Sequence, residues 1–127
     1  MALITSPVAT KVIGCAMRVH TALGPGLLES PYQEFVAVEF DKTGLAFKRH
    51  VRLSVEYQGR RVPRAYVADF IVENEVLLEL KAVDHVLPVH KAQVLTYLRL
   101  AKLQKGLLIN FRVARLKDGI KSIILTS

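Results

Sequence analysis

The chain has no tryptophan and a single cysteine among its 127 residues. One cysteine excludes an internal disulfide and any zinc cluster built on several thiolates. Cys15 itself lies between Gly14 and Ala16 in an apolar stretch, where a small buried hydrophobe is the ordinary outcome. Aromatic residues make up only 7%, so a core has to come mainly from aliphatic side chains, and a hydrophobic content of 51% is enough to build one. Mean hydropathy is high, at +0.29. Even so, no segment approaches the ~18 uncharged apolar residues of a membrane-spanning helix. The opening MALITSPVATK lacks a basic stretch followed by an apolar one, so it does not read as a signal peptide and a cytoplasmic protein is expected. No histidine pair has zinc-ligand spacing, and His20 reads as a helix-end residue.

Acidic residues are also scarce. Eleven Asp and Glu against eighteen Lys and Arg leave a net charge of +7, which suits a polyanionic partner such as nucleic acid. The cations fall into groups: Lys48, Arg49 and Arg52; Arg60, Arg61 and Arg64; Lys91, Arg99, Lys102 and Lys105; and Arg112, Arg115, Lys117 and Lys121. Any one group could be a solvated face. Their number, beside the carboxylates described below, favours a phosphate backbone.

The length fits one domain spanning residues 1–127. Val12, Ala16, Val19 and Leu23 recur at helical spacing, which predicts a helix from about Ser6 to Leu23 that Gly24-Pro25-Gly26 stops. No Gly-Lys-Ser/Thr follows those glycines, so they are not a phosphate-binding loop. A second helix is expected over about Leu28 to Thr43, with Ser30 and Gln33 as a capping box and Gly44 at its end. The period then changes to two. Val51, Leu53, Val55 and Tyr57 alternate with polar residues, Val62 to Val72 forms a second strand, Glu73-Asn74-Glu75 turns, and Val76 to Val83 forms a third. Pro88 opens a helix to about Leu103, GLLINF reads as a buried strand, and IKSIIL adds an edge strand. The order α-α-β-β-β-α-β-β predicts an α/β fold: a mixed sheet containing an antiparallel meander, flanked by helices.

Charges inside apolar strands carry the chemistry. Glu79 and Lys81 interrupt VLLELKAV two residues apart, so they share a face, and Asp69 interrupts AYVADFIV in the same way. If three residues form the intervening turn, Val72 pairs with Val76 and Asp69 falls opposite Glu79. Facing carboxylates repel unless a cation lies between them. Both are hard oxygen ligands suited to Mg²⁺ or Mn²⁺, and Lys81 is placed to orient a water or neutralise developing charge. A buried salt bridge from Lys81 to one carboxylate is the plainer alternative, and it leaves the second carboxylate unexplained. On the following helix His90, Gln93 and Tyr97 form a polar stripe that could hold substrate. Glu29 is by itself an ordinary acid near a helix N-terminus.

Gly26-Leu27-Leu28-Glu29-Ser30-Pro31-Tyr32 resembles the Gly-x-x-Glu-x-x-Tyr signature of the bacterial GxxExxY protein family. The resemblance continues through VHTALGPGLLE, ADFIVENEVLLELKAV, PVHKAQVLTYL and GLLINF, so it covers nearly the whole chain. It implies the PD-(D/E)XK nuclease superfamily and a restriction-endonuclease-like core. Asp69, Glu79 and Lys81 then match the superfamily's signature positions, with Asp69, Glu79 and the Leu80 backbone carbonyl holding metal. Glu29 matches a further metal-site acid, and Gln93 and Tyr97 match the Gln-x-x-x-Tyr motif of an exonuclease-like branch. Pro31 departs from the family, which usually has a better helix former there.

The expected activity is Mg²⁺- or Mn²⁺-dependent hydrolysis of phosphodiesters in DNA, preferred over RNA, without a membrane. Two alternatives stand beside it. One is a branched-DNA endonuclease acting as a homodimer or with a partner protein; the other is a binding or regulatory module that keeps the nuclease fold without turnover.

Overall fold

A computed structural model describes residues 6–126; Met1–Thr5, half of the segment read above as lacking a signal peptide, and Ser127 lie outside the described residues. Helix α1 (Pro7–Leu23) begins where the Ser6 hydroxyl accepts the Ala9 N–H and Pro7 occupies the first turn. It ends at Gly24, whose φ of 74° favours glycine. Helix α2 (Glu29–Thr43) closes on Gly44 in the left-handed conformation. The expected capping box is not formed: Leu28 precedes the helix, and no side chain caps it. A tertiary clamp from Tyr32, described below, fixes the entry instead.

Five strands follow: β1 (Phe47–Tyr57), β2 (Arg60–Val72), β3 (Val76–Lys81), β4 (Lys105–Asn110) and β5 (Ile120–Ile124). Helix α3 (Pro88–Ala101) connects β3 to β4. The sheet order is β1-β2-β3-β4-β5, antiparallel throughout except for the parallel β3–β4 pair, which requires the α3 crossover. This is the mixed sheet flanked by helices that the sequence predicts. β3 stops two residues early because the buried Asn110 amide takes over the Val83 backbone, accepting its N–H at 3.1 Å and donating to its carbonyl at 2.8 Å. α3 stops at Ala101, where Lys102 turns left-handed, rather than at Leu103.

Two cores sandwich the sheet. α1 and α2 bury Val12, Ala16, Tyr32, Val36 and Phe40 against Phe70, Leu78, Leu80 and Ile109 on one face. α3 buries Val94, Tyr97 and Leu98 against Leu53, Ala68, Leu77 and Leu108 on the other. Gly106 lets α3 sit close, since a Cβ there would come within 2.8 Å of the Val94 side chain. Fully burying each large aliphatic or aromatic side chain contributes roughly 1.5–3 kcal/mol, which offsets the cost of the two carboxylates buried between the cores. Cys15 and His20 serve the core: Cys15 is fully buried, and His20 Nε2 meets the Val113 carbonyl at 2.9 Å. Among the described residues no helix is long and apolar enough to cross a membrane.

Candidate functional site

The two central strands stop pairing where the carboxylates begin. β2 and β3 pair from Val72↔Val76 to Phe70↔Leu78, which leaves Asp69 and Glu79 next in register. Glu73 and Asn74 both adopt positive φ, and the Glu75 N–H returns to the Val72 carbonyl, so three residues separate the closing pair. Beyond Leu78, side chains replace the ladder. The Asp69 N–H donates to Glu79 Oε1 at 2.7 Å, and the Leu80 N–H donates to Asp69 Oδ2 at 2.8 Å. The Leu80 carbonyl lies on the same edge as its N–H, toward β2 and past the last paired residue.

β1 and β2 are both irregular beside this fork. The β1–β2 register runs Arg49↔Phe70, then Val51↔Ala68; His50 and Asp69 drop out between them, and His50 has φ 51°. Residues two apart in a regular strand share a face. Phe70 nevertheless packs with α1 and α2, whereas Ala68 packs with α3. The strand therefore reverses faces at Asp69, which turns its amide toward Glu79. Irregularities of this kind re-aim side chains beside active sites.

Asp69 and Glu79 are 9% and 5% exposed, and among the described residues neither makes an ion pair. The simple salt bridge to Lys81 is thus not formed. Burial raises the pKa of both acids, and the Asp69 charge pushes Glu79 further, to about 8. Lys81 opposes the rise at Asp69, Glu79 and Glu29, so one ammonium lies within the field of all three. Two carboxylates this close hold a proton near neutral pH unless a cation replaces it.

Hard oxygen donors beside a backbone carbonyl past the end of the ladder suit Mg²⁺ or Mn²⁺, which use one or two carboxylates and fill the remaining positions with water and phosphate oxygens. Among the described residues no three Asp, Glu, His or Cys side chains converge to enclose an ion. Glu29 is therefore a neighbour of the pair rather than an assembled third ligand. Burial raises its pKa, with Asp69 adding to the rise.

The residues of the Gly-x-x-Glu-x-x-Tyr segment have a physical reason. The Tyr32 hydroxyl donates to the Gly24 carbonyl and accepts the Leu27 N–H at 3.1 Å, while its ring stacks on Phe111 with centroids 4.2 Å apart. This clamp fixes the loop that delivers Glu29 to the site. Pro31 is the third residue of α2, where a missing N–H costs no hydrogen bond.

From α3, Tyr97 is buried, and its pKa is raised by burial and then by the charges of Glu79 and Asp69. Gln93 lies half-buried one turn earlier. His90 caps the helix: its Nδ1 accepts the Leu87 N–H at 3.0 Å. Three contributors escaped the sequence reading. The Gln33 side chain acts to lower the Asp69 pKa against the rise from burial, His50 Nε2 meets Gln33 Oε1 at 3.2 Å, and Tyr66 packs on Tyr97 with centroids 5.7 Å apart. For Gln33 a signal existed, because it lies four residues after Glu29 and so shares its face of α2.

The basic groups thin out on inspection. Arg49 packs over the Phe70 ring and pairs with Glu34, so it is not a free phosphate contact. Lys105, Arg112 and Arg115 pair with Glu75, Asp84 and Asp118. A hollow of about 440 Å³ between the end of α1 and the 116–119 turn is lined by Met17, His20, Arg115 and Lys117 among others. It has no carboxylate in its walls and does not compete with the fork as a metal site.

A family model for the PD-(D/E)XK nuclease superfamily matches residues 6–123. The chain belongs to the PD-(D/E)XK nuclease superfamily. No curated protein and no solved structure matches it. Membership agrees with the restriction-endonuclease-like arrangement of the five strands and three helices, and it gives the protein a nuclease-type function with nucleic acid as substrate.

Proposed function

We propose that this PD-(D/E)XK protein is a GxxExxY-type nuclease, one cytoplasmic domain over residues 1–127, that hydrolyses DNA phosphodiesters with Mg²⁺ or Mn²⁺. The observation that carries the reading is the fork itself: two buried carboxylates, each held by a backbone N–H, with no ion pair among the described residues and an ammonium in their field. A divalent ion bound there supplies the Lewis acidity that phosphodiester cleavage needs. Asp69, Glu79 and the Leu80 carbonyl would hold it, and Glu29 would extend the site through water. Lys81 positions the attacking water and neutralises charge that builds on the phosphate. Gln33 keeps Asp69 oriented, while Gln93 and Tyr97 face the substrate from α3, and His90 secures the start of that helix. The Gln93-x-x-x-Tyr97 pair supports an exonuclease-like mode.

Purified protein incubated with end-labelled single-stranded, duplex and branched DNA and Mg²⁺ or Mn²⁺ tests this reading. Stepwise shortening from an end supports the exonuclease mode. Cutting confined to a junction by a dimeric species supports the structure-specific alternative instead. Metal-independent binding of all three substrates without any product rejects the enzyme in favour of a binding module.

A further inference from the structure

Beyond the fork, β1 and β2 continue as a two-stranded ribbon with no third strand, because β3 ends at Lys81. Every residue from Glu56 to Arg64 is exposed. Three successive pairs, Leu53↔Tyr66, Val55↔Val62 and Tyr57↔Arg60, fix which side chains share a face. Leu53 packs in the α3-side core, so Tyr66, Val62, Tyr57 and Arg60 all lie on the α3 side of the ribbon. Tyr57 is 73% exposed and Tyr66 42%. These are large apolar surfaces to leave in water, and neither ring is needed to close a core.

The ribbon's charge is one-sided. Arg52, Arg60, Arg61 and Arg64 stand against Glu56 alone, and among the described residues none of the four arginines makes an ion pair. Pro63 and Arg64 sit in a break of register between Leu53 and Val55, where Arg64 takes a φ of 54° that throws it off the ladder. The ribbon is also continuous with the active site, because Tyr66 touches Tyr97 and Tyr97 feels the charges of Glu79 and Asp69.

We propose that this ribbon is a docking arm for an unpaired strand of nucleic acid, with Tyr66 and Tyr57 stacking on bases and Arg60 and Arg64 holding phosphates. The proposal rests on the nuclease reading of the fork and specifies its substrate as single-stranded. Exposed tyrosine rings can stack only on bases that are not already covered by neighbours in a duplex, and aromatic platforms flanked by arginine are the usual means of holding single strands. Along the ribbon the two rings are four residues apart, about 14 Å, which leaves room for several bases leading toward the fork.

The test is fluorescence anisotropy in EDTA, where nothing is cut, using a labelled strand of about 20 nucleotides and the blunt duplex of the same sequence. The wild-type protein should bind the single strand about tenfold more tightly than the duplex, Tyr57→Ala should lose about that factor, and Tyr57→Phe should recover it. Arg60→Ala should weaken binding and lower the salt dependence by about one phosphate contact. Both substituted side chains are solvent-exposed, so melting curves should match the wild type. Equal affinity for strand and duplex, or unchanged affinity in Tyr57→Ala, overturns the proposal. So does a dimer that Tyr57→Ala dissociates without altering DNA binding, which would assign the ribbon to a second copy of the chain. Metal-dependent cleavage is scored separately. Cleavage with ribbon variants that bind normally rejects the docking arm alone, whereas ring-dependent strand binding without cleavage rejects the nuclease reading alone.

Discussion

Asp69 and Glu79 are locked to each other's strands through the backbone: Glu79 Oε1 accepts the Asp69 amide at 2.7 Å, and Asp69 Oδ2 accepts the amide of Leu80 at 2.8 Å. The two hydrogen bonds stand in for the rungs that β2 and β3 would otherwise make, and they hold two acids side by side in the interior. Several measurable consequences follow from that arrangement.

Stability should fall as pH rises. Glu79 has an ordinary pKa of 4.5 and one of about 8 in the folded chain, so between these values the folded state binds a proton that the unfolded state has released. Folding is favoured by that proton below the lower value and loses the advantage as pH climbs to the upper one, with a slope of at most about 1.4 kcal/mol per pH unit for one proton. Melting temperatures measured in EDTA should therefore decline from pH 5 to pH 8. Glu79→Gln should flatten the decline, and Mn²⁺ should raise the wild-type melting temperature more at pH 8 than at pH 6. A wild-type profile that is flat or rising in EDTA contradicts the buried pair.

Gln33→Ala should lower metal-dependent cleavage about tenfold, as loss of a residue orienting a metal ligand usually does. Gln33 is only half-buried, and the melting temperature should move little. Mn²⁺ titration should show weakened binding in the same variant. Unchanged metal affinity with reduced cleavage would instead make Gln33 a substrate contact.

Tyr32→Phe keeps the stack on Phe111 but removes the hydroxyl that joins Gly24 to Leu27. The expected cost is about 1–2 kcal/mol of stability, read from chemical denaturation. Cleavage should fall as well, since the same loop leads directly into Glu29, the first residue of α2. Full activity in this variant would show that the clamp does not govern the site.

Asn110→Leu should be destabilised by about 1–3 kcal/mol, because the Val83 N–H and carbonyl lose their partner in a partly buried loop. Denaturant midpoints measure this directly.

Much of this was legible in the sequence, for definite reasons. Alternation in VRLSVEY and the charges in AYVADFIV and VLLELKAV report strands and their interruptions, because burial on one or both faces constrains every residue. The hairpin register could be counted because Val72 and Val76 flank three residues. The helix order and the mixed sheet followed from period changes at Gly44 and Pro88. What the sequence did not show depends on tertiary geometry. The face reversal at Asp69 lies opposite a positive φ at His50 on the neighbouring strand, and no local pattern announces it. Gln33 looked like half of a capping box because its side-chain partner, His50, lies seventeen residues away on β1. Asn110 was hidden in an apolar run, and only the fold reveals that it pins Val83. Arg49 read as surface charge until Phe70 and Glu34 were seen to hold it.

The most direct test is cleavage of end-labelled single-stranded DNA by wild-type protein and by Lys81→Ala and Asp69→Asn, each with Mg²⁺, Mn²⁺ or EDTA. Cleavage by the wild type with either metal, none in EDTA, and losses of about a hundredfold or more in both variants are the expected results. Cleavage by Lys81→Ala and Asp69→Asn at the wild-type rate, or undiminished cutting in EDTA, would contradict the assignment of the fork as the active site.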